Sequence, residues 1–143
     1  MTVFVLDASV AAKWFLSADN EPLTDEALEL LRKFVQGETR FIVPDLFWAE
    51  LARAIWKAIR LRRVDKSSAQ EALSYLRACD LPVYSTVALL DKAFHIATSF
   101  DRSVYDSLYV ALAVDSGAPL ITADERLANS LAAHFPVKWL GAI

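Results

Sequence analysis

Thr2-Val3-Phe4-Val5-Leu6-Asp7-Ala8-Ser9 is the stretch that decides the fold. Its first five residues form a short apolar, β-branched run without polar alternation, the pattern of a parallel strand buried on both faces. Asp-Ala-Ser then reads as a helix start, which puts Asp7 at the carboxyl end of the strand. Parallel strands need crossover connections, so the reading works outward as an alternation of strands and helices.

A helix is expected over 8–16, then a polar loop to Pro22 and a helix from Leu23 to Val35, stopped at Gly37. Phe41-Ile42-Val43 is the second strand. Pro44-Asp45 suits the opening of the next helix, since proline is tolerated in a first turn and aspartate at a cap. That helix runs to about Leu61, with Phe47, Leu51, Ile55 and Ala58 as its apolar stripe. Ser67-Ser68-Ala69-Gln70-Glu71 carries capping-box spacing and opens a helix ending near Asp80. Pro82 to Tyr84 is a brief strand, and Thr86 to Phe100 a helix burying Val87, Leu90, Ala93, Phe94 and Ala97. The helix over about 104–116 is apolar almost all round and should lie deep, Tyr105 and Tyr109 included. Gly117 stops it, 119–122 is another parallel strand, and a helix over about 125–133 leads to a last strand at 137–140. The expected fold is a three-layer α/β/α domain with a short, mainly parallel central sheet, one domain over residues 1–143.

Composition agrees with such a domain. The chain has 143 residues, 55% hydrophobic and 23% charged, enough for one core and unlike a disordered polymer. One cysteine, Cys79, excludes an internal disulfide, and with only His95 and His134 there is no zinc-ligand spacing. A reducing cytosol fits. Asp7 and Lys13 interrupt the apolar N-terminus, which argues against a signal peptide, and no uncharged stretch reaches the roughly 18 residues of a membrane span. The formal net charge is −3, which does not advertise nucleic-acid binding.

Four acids stand at strand ends or helix starts: Asp7, Glu50, Asp106 and Asp124. Each has a structural explanation. Asp7 and Asp124 suit N-caps, Ser103 with Asp106 fits a capping box, and Glu50 could pair with Arg53. Jointly those explanations weaken, because strand ends and helix starts of one parallel sheet face a common edge, where α/β folds gather ligands. Four carboxylates sharing one crevice repel unless a cation sits among them, and hard oxygen donors select Mg²⁺ or Mn²⁺.

Other chemistries find no support. With three glycines in the chain, no phosphate loop, dinucleotide fingerprint or serine elbow can be built. A phosphoaspartate phosphatase wants a second acid two residues after Asp7, where Ser9 stands. The histidines read as core or surface, and the tryptophans as packing. Along the helix bearing Glu50, Arg53, Lys57 and Arg60 recur at helical spacing, either a solvated face or a basic track for phosphate groups leading away from the acids, with Arg62 and Arg63 beyond.

The ordered set Asp7-Ala8-Ser9, Pro44-Asp45 with Glu50, Ser103-Val104-Tyr105-Asp106-Ser107-Leu108-Tyr109-Val110-Ala111-Leu112-Ala113, and Thr122-Ala123-Asp124 resembles the PIN-domain family, and more narrowly the VapC-type toxins of toxin–antitoxin pairs. The likeness spans essentially the whole chain. It implies a cytoplasmic endoribonuclease whose Mg²⁺ or Mn²⁺ is held chiefly by Asp7 and Asp106. Glu50 and Asp124 would complete the site directly or through water, and the Ser9 and Thr122 hydroxyls would support the ligands from behind. It also implies a homodimer and a VapB-like antitoxin. Metal-activated water would leave 5′-phosphate and 3′-hydroxyl ends. The competing readings are a housekeeping RNA-processing or structure-specific nuclease and an inactive PIN-like binding module, the latter disfavoured by the intact set of four acids.

Overall fold

The computed structural model describes residues 1–143. Five strands form one sheet in the order β3-β2-β1-β4-β5, with β1 at Thr2–Leu6, β2 at Thr39–Pro44, β3 at Val83–Tyr84, β4 at Leu120–Thr122 and β5 at Val137–Trp139. Every adjacent pair is parallel, including Val5 opposite Ile42 on one side and opposite Leu120 on the other. The helices are α1 (Ala8–Ala11), continued by a 3₁₀ turn at 12–15, α2 (Thr24–Val35), α3 (Leu46–Arg60), α4 (Lys66–Ala78), α5 (Thr86–Phe100), α6 (Val104–Ser116) and α7 (Glu125–Leu131). They cover the sheet in a three-layer α/β/α arrangement.

The apolar run at β1 takes the centre, paired on both edges and dry on both faces from Phe4 to Leu6. All three residues of β4 beside it are buried too, whereas the two-residue edge strand β3 is exposed. Chain order departs from β1 to β2 and β3 on one side and returns to β4 and β5 on the other. The crevice between the carboxyl ends of β1 and β4 is therefore the topological switch point, where an open parallel sheet leaves room for a ligand. Asp7 follows β1 and Asp124 follows β4.

Several expectations need correction. The helix expected over 8–16 is a single α-turn tightening into 3₁₀ geometry. The second strand extends from Thr39 to Pro44, so Pro44 closes a strand and does not open a helix. Asp45 precedes α3 without capping it; its carboxylate accepts from the Thr86 N–H, tying α3 to the start of α5. On α5 the buried side is Leu89, Ala93, Ile96 and Ala97, while Val87 (80%), Leu90 (47%) and Phe94 (60%) are exposed. Both stripes have helical spacing, and packing of α5 on α6 selects one. The helix α6 is buried from Ser107 to Ala113 as expected, but Val104, Tyr105 and Val114 reach the surface. Gly117 ends it at φ +69°, a conformation that favours glycine. No helix is long and apolar enough to cross a membrane.

Candidate active site

Around the switch point lies a cleft of about 660 Å³ whose lining includes Asp7, Ser9, Glu50, Arg53, Tyr105, Asp106 and Asp124. All four acids singled out from the sequence thus border one space. Asp7 comes from the end of β1, Glu50 from the second turn of α3, Asp106 from the first turn of α6, and Asp124 from the cap of α7.

Asp7 is held by hydroxyls. Thr122, wholly buried at the end of β4, donates from Oγ1 to Asp7 Oδ2 at 2.7 Å. Thr122 Oγ1 in turn accepts from the Asp124 N–H at 3.1 Å. Ser9 Oγ lies 3.5 Å from it and accepts from the Ala123 N–H. The Ser9 N–H also approaches Asp7 Oδ1, at 3.4 Å. Burial pushes the Asp7 carboxyl above its ordinary value; the Thr122 and Ser9 donors pull it down only in part, and the charge of Asp106 pushes the same way as burial.

Glu50 is half-buried and also raised, first by desolvation and then by the negative charges of Asp7 and Asp106, against the pull of Tyr109 and Arg53. Tyr109, 2% exposed, donates from its hydroxyl to Glu50 Oε1 at 2.7 Å. Burial, Asp7 and Glu50 hold that phenol far above its ordinary range, so it is always a donor. Sequence reasoning placed Tyr109 in the core, correctly, and missed its hydroxyl. The available signal was that a buried tyrosine normally finds a polar partner. Tyr105, assigned to the core as well, is 65% exposed at the mouth of the cleft. Burial decides between the two rings: one turn apart on α6, they face opposite environments.

The remaining acids divide. The Ser103 hydroxyl caps α6 by accepting from the Asp106 N–H at 3.0 Å. The Asp106 carboxylate is left facing Arg102 at 3.6 Å, an approach the sequence reading did not anticipate. The Arg102 Nε is buried without a hydrogen-bond partner. Asp124 is exposed, and its Oδ1 accepts from the Leu127 N–H at 3.1 Å, an ordinary N-cap.

Do these residues suit a divalent cation? As the side chains stand, no three acids or histidines are close enough to hold one ion. The donor chemistry nonetheless fits a hard cation: carboxylates and hydroxyls meet at the acid floor, Asp106 raises the Asp7 carboxyl, and Asp7 and Asp106 raise that of Glu50.

The basic row of α3 fans out. Arg53, Lys57 and Arg60 are all exposed, but only Arg53 borders the acid cleft. Lys57 borders the next hollow, which shares Ala54 with the cleft. Arg60 lies over the Trp56 ring at 5.0 Å, and Arg63 is paired with Glu21 at 2.8 Å.

A parallel five-stranded sheet with acids at its switch point is the architecture of one class of proteins, and the chain belongs to the PIN-domain family, whose description matches residues 4–130. Its likeness to the VapC branch holds over nearly the full length: Ribonuclease VapC3 of Pyrobaculum aerophilum is 32% identical over 133 residues, 90% of this chain and 95% of that one. Among solved structures, PAE2754 from Pyrobaculum aerophilum superposes with a TM-score of 0.71 at 23% identity, covering 99% of this chain and 85% of that chain. VapBC2 from Rickettsia felis, bound to a DNA fragment from its promoter, gives 0.60 at 15% identity, covering 96% of this chain and 98% of that chain. These two show the fold.

Proposed function

We propose that this protein is a metal-dependent endoribonuclease, a single domain over residues 1–143, acting as the toxin of a toxin–antitoxin pair. The observation that carries the reading is the convergence of Asp7, Glu50 and Asp106 on one cleft with too little positive charge to balance them. The kinship with a ribonuclease over most of both chains supports it. Asp7 and Asp106 would hold Mg²⁺ or Mn²⁺, Glu50 and Asp124 would add to the set, and Ser9 and Thr122 would fix Asp7 through the hydroxyl chain. When bound, the ion supplies Lewis-acid stabilisation of the phosphate under attack and lowers the pKa of water at the site.

The chain's own residues do the rest. Tyr109 occupies Glu50 Oε1 and leaves Oε2 to orient the attacking water and accept its proton. As water oxygen bonds to phosphorus, the bond from phosphorus to the 3′-oxygen breaks, and that oxygen takes a proton from solvent. The products carry 5′-phosphate and 3′-hydroxyl ends. Arg53 stands at the mouth for a flanking phosphate, with Lys57 continuing the path and Arg60 a more distant contributor.

Two surfaces support the proposed partners. An apolar groove between α3 and α4, lined by Ile55, Trp56, Ile59, Ala69 and Leu73, suits an apolar segment of a VapB-like antitoxin. The exposed face of α5, with Val87, Leu90 and Phe94, suits a homodimer. A cytoplasmic location accords with an RNA substrate. The deciding test is cleavage of RNA with added Mg²⁺ or Mn²⁺ by wild type and by Asp7→Asn and Asp106→Asn. Each substitution should lower the rate by at least the roughly 10- to 100-fold that losing a ligand's supporting partner costs. Cyclic phosphate ends, or full activity in either variant, would overturn the reading.

A further inference from the structure

Asp7, Glu50 and Asp106 each face a group supplied by the protein, and one of those three groups differs in kind. Asp7 Oδ2 accepts from the Thr122 hydroxyl and Glu50 Oε1 from that of Tyr109, both at 2.7 Å. These donors are neutral, so they orient a carboxylate and leave its charge in place. The Asp106 carboxylate accepts no such bond. It faces the Arg102 guanidinium, whose Nη2 stands 3.6 Å from Oδ2. That distance is too long for a hydrogen bond to fix the carboxylate's orientation, but a charge acts across it, since Coulomb attraction falls only as the inverse of distance. The guanidinium is carried by the joint between α5 and α6, four residues before Asp106. There Asp101 turns the chain at φ +53°, and the Arg102 N–H donates to the Ala97 carbonyl at 3.2 Å. Arg102 is 23% exposed and is not among the residues lining the cleft, whereas Asp106 is. Its Nε is buried without a partner, so the cation is held at this place at a cost that no hydrogen bond offsets.

We infer that Arg102 is the built-in counter-charge of Asp106 and sets how tightly the cleft binds a divalent cation, keeping that affinity below what the acids alone would give. The inference rests on the metal-dependent reading of the site and adds to it a residue that borders neither ion nor substrate and acts only through Asp106. The two kinds of support have opposite consequences. Taking away a hydroxyl that holds a ligand loses orientation and weakens ion binding. Taking away Arg102 loses no hydrogen bond to the ligand, and it removes a positive charge that repels the ion from the same carboxylate. The ion's double charge enlarges the effect and the partial exposure of the pair to water reduces it, which leaves a change of moderate size.

The test titrates Mn²⁺ alone into the full chain, followed by calorimetry and by thermal unfolding with and without the ion. Arg102→Gln should bind Mn²⁺ about 3- to 30-fold more tightly than wild type. Arg102→Lys keeps the charge and should bind within about three-fold of wild type, which separates charge from the shape of the guanidinium. The rise in unfolding midpoint that saturating Mn²⁺ produces should be larger in Arg102→Gln than in wild type. A residue that only packs would lower the midpoint equally with and without Mn²⁺ and leave the affinity where it was. Equal or weaker Mn²⁺ binding by Arg102→Gln, or a lysine variant that binds as tightly as the glutamine one, would overturn the inference and leave the metal-dependent reading intact. An Arg102→Gln protein that stays unfolded even in saturating Mn²⁺ would overturn it as well, by assigning Arg102 to structure. If wild type itself binds no Mn²⁺, the metal-dependent reading falls and the inference falls with it.

Discussion

Two clusters of buried acid in this protein have opposite electrostatics. At the loop before α2, Glu21 accepts from Lys13 at 2.6 Å and from Arg63 at 2.8 Å, while Lys13 also donates to the Pro22 carbonyl. Burial alone would raise the Glu21 carboxyl, but the two cations outweigh it and hold it below its ordinary value. In the cleft, burial wins: Asp7 and Glu50 are raised, and the acids beside them add to the cost. Carboxylates supplied with their own cations are structural ties between a loop and the end of α3. Asp7 has no cation to offset its burial and Arg53 only partly offsets that of Glu50, so both carboxylates are carried at the expense of stability.

The contrast can be broken most forcefully at Lys13. Lys13→Met removes one cation from a pair in which both groups are nearly buried, and should destabilise the protein by about 3–5 kcal/mol, read from urea unfolding. A loss under about 1 kcal/mol would mean that Arg63 alone suffices. The pH dependence has a definite sign. Glu21 has a folded pKa below its unfolded one, so its contribution is present above the unfolded value and lost as pH falls through the folded value.

Asp7→Asn should act the other way and raise stability at neutral pH by about 0.5–2 kcal/mol. Here the folded pKa lies above the unfolded one, so the ionised group costs stability at higher pH. The gain from asparagine should shrink as pH falls through the folded value and vanish below the unfolded one, where aspartate is protonated in both states. Titrating Mn²⁺ should raise the unfolding midpoint of wild type and leave Asp7→Asn where it was. A variant less stable than wild type at neutral pH would assign Asp7 to structure.

Tyr109→Phe should have the smallest effect on stability, about 0.5–1.5 kcal/mol, because Glu50 can be rehydrated from the cleft. Losing the donor raises the Glu50 carboxyl further, so the acidic limb of the cleavage profile should move to higher pH. An unmoved limb would leave Tyr109 as packing alone.

Which of these features could be read from the sequence follows from whether they are local. The strand at β1 and the placement of Asp7, Asp106 and Asp124 at element ends depend on neighbouring residues and a topological rule, and the structure matches them, while Glu50 lies one turn inside α3. The face of α5 was not legible, because two apolar stripes compete on that helix and only α6 selects between them. Tyr105 and Tyr109 share a helix and a residue type, and their difference in burial comes from the packing of α6 on the sheet and α5. Glu21 and Arg63 are 42 residues apart, with no spacing rule to join them. The capping role of Asp124 was foreseen and is present.

The hydroxyl that steadies Asp7 belongs to a residue 115 positions further along the chain. During synthesis the strand bearing Asp7 is made first and waits while all but the last crossovers are added. Until β4 has been made and laid against β1, the central acid has no Thr122 behind it and Asp124 has no helix to cap. The order in which the ribosome makes the segments therefore leaves an incomplete chain without the assembled cleft, its acids still scattered along the polypeptide.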